Sequence, residues 1–141
     1  MRLAVATLAD AATVRDNLLN VLGAGLYKLS ASELPARFEA VVAILAELEL
    51  TDVRLGAEFR LVVRVTPIDS EEDLLRAEGT LAPTDENEAK RQSFSDEASY
   101  VPIVIPLRTV EFAAEGRYQI VVSAGSDEQR IPFSVSLSST S

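Results

Sequence analysis

Two runs of carboxylates are where this chain has side chains of a kind that does chemistry. Asp69, Glu71, Glu72 and Asp73 form the first, and Asp85, Glu86 and Glu88 the second. Calcium takes six to eight oxygens, and loop carboxylates at one end of a strand-built fold are natural donors. Neither run has the alternating Asp-x-Asp-x-Asp-Gly spacing of a dedicated calcium loop, so these seven residues are calcium candidates without a loop motif. Two of them converging on a cleft would also serve a carboxylate-only glycoside hydrolase. The plain alternative is a solvated acidic rim that keeps the protein in solution, and the spacing favours it.

Composition removes most other chemistry. The 141 residues contain no cysteine, histidine or tryptophan. Thiolate nucleophiles, Cys/His zinc sites and every Ser-His or Cys-His catalytic arrangement are therefore excluded. No enzyme, no cofactor and no resident metal is expected. There are 13 basic and 22 acidic residues, a net charge of −9, which disfavours a nucleic-acid partner. Residues 69–97 hold 10 of the acids and 3 of the bases, so most of the excess is local. The apolar opening Leu3–Ala9 is too short for a signal peptide, and no apolar run is long enough to cross a membrane as a helix. The expected location is the cytoplasm, with no membrane partner.

The elements that would position the acids are strands. Strict alternation marks Phe59–Val65, Val101–Leu107, Tyr118–Val122 and Ile131–Leu137. Ala77–Leu81 is a further strand. Leu3–Ala9 is apolar on both faces and reads as a central strand covered on both sides. Leu18–Leu22 is broken or bulged at Gly23-Ala24-Gly25, after which Leu26–Leu29 resumes the strand. Phe38–Leu50 has apolar residues at every even position, which favours a long strand over its competing helical stripe.

Turn residues then imply a string of hairpins. Asp52–Gly56 separates the Phe38 strand from the Phe59 strand, and Ala124–Asp127 makes a four- or five-residue loop. Pro102 and Pro106 place Val101–Leu107 at a sheet edge or beside a bulge, and Pro132 implies the same for the last strand. Ala82–Glu97 is a long loop in which Asp85 has the spacing to cap a short helical turn. The expected fold is all-β: an antiparallel β-sandwich, immunoglobulin-like or C2-like, with a small β-barrel as the alternative. One domain spans residues 1–137, followed by a frayed tail at 138–141.

Single residues carry further expectations. Asp10 would close an Asx-turn by accepting from the Ala12 or Thr13 N–H. The Tyr118 hydroxyl would bond to backbone at a strand corner. Arg60 and Arg64 would pair with Glu39, Glu47 or Glu49 on the neighbouring strand. Gly23–Gly25 lacks the Lys-Ser/Thr of a phosphate loop.

The segments LAVATLADAATVRDNLLNVLGAGLYKL (Leu3–Leu29) and EGRYQIVVSAGSDEQRIPFSVSL (Glu115–Leu137) resemble a small bacterial protein family of unknown function. The matching positions include Leu8, Asp10, Ala12, Leu18, Val21 and Gly23, with Asp16-Asn17 where that family shows a glycine; Asn17 tolerates positive φ. The resemblance implies a single β-rich domain and supplies no activity. Together these readings lead to a non-enzymatic sandwich that binds a protein partner or itself, with an edge strand and the acidic loops as contact features. A module binding calcium or carbohydrate through the acidic end loops is the alternative.

Overall fold

Alternation becomes strand wherever one row of side chains has a second sheet to face. The computed structural model describes residues 1–49, 51–52, 56–82 and 99–138. Through them run β1 (Arg2–Ala9), β2 (Ala11–Arg15), β3 (Leu18–Leu22), β4 (Lys28–Ala31), β5 (Val41–Leu48), β6 (Phe59–Pro67), β7 (Leu75–Leu81), β8 (Ser99–Pro106), β9 (Gly116–Ala124) and β10 (Asp127–Leu137). One sheet has the order β1-β5-β8, another β4-β10-β9-β6-β7, and β2-β3 is a hairpin apart from both. All neighbours are antiparallel except β4, which runs parallel to β10.

The core lies between the two larger sheets. Leu8, Val42, Ile44 and Ala46 from the first meet Leu61, Val63, Val65, Ile120, Val122 and Phe133 from the second in one buried cluster. The protein is a β-sandwich, and none of its described sheets closes into a barrel. In β5 the even positions Val42, Ile44, Ala46 and Leu48 are fully buried, so its alternation is strand and not helix. At one end of the core Phe112 packs edge-on against Tyr118 and Phe133, with ring centroids 5.0 and 5.9 Å away. The Tyr118 hydroxyl donates to the Ala114 carbonyl at 2.6 Å, the corner bond expected of it.

The prolines of β8 sit where their missing donors cost least. Leu107 N–H donates to the Ala40 carbonyl at 3.0 Å, which fixes the odd residues of β8 as those bonded to β5. Pro102 and Pro106 therefore lack donors only on the free edge, and the ladder to β5 is intact. Pro132 falls in β10 before the β4 pairing begins at Ser134, so β10 is an edge there and interior farther on.

Five expectations need correction. β1 is an edge strand, with one face on the core and an outer face only partly covered, so it is not a central strand sheltered on both sides. β5 and β6 lie in different sheets, so Asp52–Gly56 joins two layers and is no hairpin turn. Arg60 pairs with Glu78 at 2.5 Å and Arg64 with Asp73 at 3.4 Å, because the true neighbour of β6 is β7. Glu47 instead pairs with Arg2. The β9–β10 loop is only Gly125-Ser126, with Gly125 at φ 57°. Gly23 (φ 68°) and Gly25 (φ 81°) form a full break, after which β4 joins another sheet and does not resume β3.

Candidate interaction surface

Among the described residues the acidic side chains do not gather into a group that could hold a metal ion. Asp69, Glu71 and Glu72 are exposed, and the Ser70 hydroxyl accepts the Glu72 N–H at 3.0 Å. Asp73 is held between Arg64 and Arg76, at 3.4 and 3.7 Å. Asp85, Glu86 and Glu88, with the capping turn expected at Asp85, lie outside the described residues. Among the described residues no group of three acidic, histidine or cysteine side chains is placed to hold a metal ion.

What is built instead is an apolar surface. Antiparallel register puts Val5, Leu45 and Pro102 in one row across the outer face of β1-β5-β8. The next rows are Thr7, Ala43, Val104 and then Ala9, Val41, Pro106. A sandwich normally turns polar residues outward here. The apolar rows are explained by the β2-β3 hairpin, which packs against β5 and β8 on this side. Ala9 and Ala43, although on the outer face, have no solvent exposure. Val5 is 36% and Tyr100 42% exposed at the uncovered margin.

The hairpin is shaped by its turn. Asp16 and Asn17 both have positive φ, 52° and 59°, the pair of values a two-residue type I′ turn requires. Ala12, Leu19 and Val21 share one face and are half-buried. Ala11, Thr13, Arg15, Leu18, Asn20 and Leu22 share the other and are exposed. On that outer face Leu18 is 65% and Leu22 72% exposed. Arg15 and Asp16, 3.9 Å apart and open to solvent, leave the hairpin without net charge.

Asp10 starts the hairpin differently from the expected Asx-turn. Its N–H donates to the Leu22 carbonyl at 3.1 Å, and its carboxylate lies where a side chain on Gly23 would project. Gly25 N–H donates to the Thr7 hydroxyl at 2.8 Å, and Leu26 N–H to the Leu8 carbonyl at 3.0 Å, which ties the end of the hairpin back to β1. Sequence reasoning missed β2, and with it this surface. The signal was present as Ala11–Arg15 and Leu18–Leu22 separated by two turn-forming residues.

The described residues form a strand sandwich that carries a hairpin with Leu18 and Leu22 turned to solvent among Thr13, Arg15 and Asn20. Residues 4–136 match the family described as "Family of unknown function (DUF6941)", and the chain belongs to that family. Comparison with curated proteins and with solved structures gave no match.

Proposed function

We propose that this protein is a non-enzymatic, immunoglobulin-like interaction module that recruits a protein partner through the β2-β3 hairpin. The observation that carries this is the exposure of Leu18 and Leu22 on the outward face of an element the sandwich core does not need. Apolar side chains gathered on one outer face are characteristic of contact surfaces. The hairpin's neutrality matters in a chain of net charge −9, because association there brings no like charges together.

Support for the immunoglobulin-like description comes from strand partition. β1, β5 and β8 fall where strands A, B and E of that fold lie, and β6, β7, β9 and β10 where C, C′, F and G lie. Tyr118, near the start of the F-like strand β9, bonds back to the Ala114 carbonyl as a corner tyrosine would. The proline-bearing edge of β8 is a poorer contact site than its exposure implies, because Pro102 and Pro106 present no donors there. A cytoplasmic location and a bacterial host belong to the same reading, on the sequence features above.

The test is capture from host extract by wild-type protein and by the Leu18→Lys/Leu22→Lys variant, with Arg108→Ala as a remote control. A partner retained by wild type and control but lost by the hairpin variant supports the reading. Equal recovery by all three contradicts it.

A further inference from the structure

We propose that two copies of this chain associate by pairing β7 with β7 across a two-fold axis at Ala77. The inference rests on the reading of the protein as an interaction module, and it assigns self-association to an edge separate from the hairpin.

Among the described residues the other edges of the two larger sheets are short, partly engaged or deprived of donors. β8 lacks donors at Pro102 and Pro106 on its free side. β1 is engaged at Leu3, whose N–H donates to Asp127 Oδ2 at 2.7 Å and whose carbonyl accepts from Gln129 Nε2 at 2.9 Å. Its Leu8 carbonyl is taken by Leu26 N–H. β4 is only four residues long. β7 is seven residues long, ends the five-stranded sheet, and bonds to β6 alone among described strands. An edge of that length with no further described strand beside it is a template for another strand.

Charge and shape select both the occupant and the register. Residues opposite one another in an antiparallel pair share a face, so the two-fold axis must pass through a residue of β7 to keep core-facing rows together. Centred on Arg76 it would oppose two arginines, and centred on Glu78 two carboxylates. Centred on Ala77 it opposes Arg76 to Glu78 twice, and Leu75 to Gly79 twice. Cross-strand pairs of opposite charge stabilise, and like pairs destabilise.

The Leu75–Gly79 opposition has a place to go. Leu75, Ala77 and Leu81 turn toward the core, and Gly79 shares their parity. Yet a Cβ added at Gly79 would meet nothing within 4 Å. The gap is part of a cleft of about 340 Å³ whose walls include Leu61, Ala77, Leu81, Ile103 and Ile105. Leu75 of the second copy would fill it, and an isologous contact repeats the arrangement on the other side. The two five-stranded sheets would become one continuous sheet.

Sedimentation velocity and engineered cross-linking test this together. Wild type should sediment as a species of twice the 15.2 kDa chain mass as concentration rises. Arg76→Glu and Glu78→Arg should each weaken the dimer by about tenfold through two like-charge pairs, and the double swap should restore it. Circular dichroism checks that each variant folds. The chain has no cysteine, so Ala77→Cys reports the axis directly. It should oxidise to a disulfide-linked dimer several times faster than Thr80→Cys. Leu18→Lys/Leu22→Lys should leave the dimer intact. A monomer at every concentration, a dimer indifferent to the charge reversals, or equal cross-linking at both cysteines overturns the proposal. A dimer lost only in the hairpin variant overturns it too, while leaving the hairpin reading in place.

Discussion

The carboxylate of Asp10 occupies the space into which a side chain on Gly23 would project. Gly23 is also at φ 68°, where an L-residue pays about 1–2 kcal/mol. Gly25, at φ 81°, has nothing within 4 Å of an added Cβ. Gly25→Ala should therefore cost only the backbone strain, and Gly23→Ala more. Adding Asp10→Ala to Gly23→Ala should recover part of the difference. Urea denaturation of the three variants measures this; equal losses at both glycines would show that Asp10 is not the obstacle.

Tyr118 is buried and its hydroxyl is used once, on the Ala114 carbonyl. Tyr118→Phe keeps the ring against Phe112 and Phe133 and removes only that bond. Stability should fall by about 1 kcal/mol with the denaturant slope unchanged. Phe112→Ala, at a site with no solvent exposure, should cost about 3–5 kcal/mol by the same measurement.

Hydrogen bonds from Arg60, then from Arg76, hold the Glu78 carboxyl below its ordinary value of 4.5. A depressed folded-state value means that the pairing stabilises above pH 4.5 and is lost as pH falls through the lower, folded value. The groups are solvent-exposed, so the effect on global stability is small. NMR titration of the Glu78 carboxyl should show the depression, and Arg60→Gln should move the midpoint up. An unchanged midpoint in that variant would remove Arg60 as the main cause.

Restoring donors to the free edge of β8 should make it adhesive. Pro102→Val/Pro106→Val leaves the ladder to β5 untouched and adds two outward N–H groups. Light scattering at constant temperature should show faster aggregation with little change in melting temperature. A variant as soluble as wild type would mean that the prolines do not guard this edge.

Much of the strand content was legible because burial on one face imposes alternation, as in Phe59–Val65 and Val101–Leu107. The sheet to which each strand belongs was not. Alternation in β5 and β6 is the same whether they pair or sit in opposite layers, so Arg60 and Arg64 were matched to acids of the wrong strand. The same limit applies to Leu3–Ala9, whose apolar residues give no sign that the strand lies at the edge of its sheet. The candidate site was harder still. Carboxylate runs draw attention by residue type, yet Asp73 is committed to two arginines. Leu18 and Leu22 look like ordinary core residues in sequence, and only their register on the hairpin turns them outward.

The most direct measurement on the central claim is site-specific photo-cross-linking in the host cell. A photoreactive residue at Leu22 is compared with one at Glu128, on β10 of the opposite sheet. The account predicts a discrete adduct to another protein from position 22 and none from position 128. Adducts from position 128 alone, or from neither position, would contradict it.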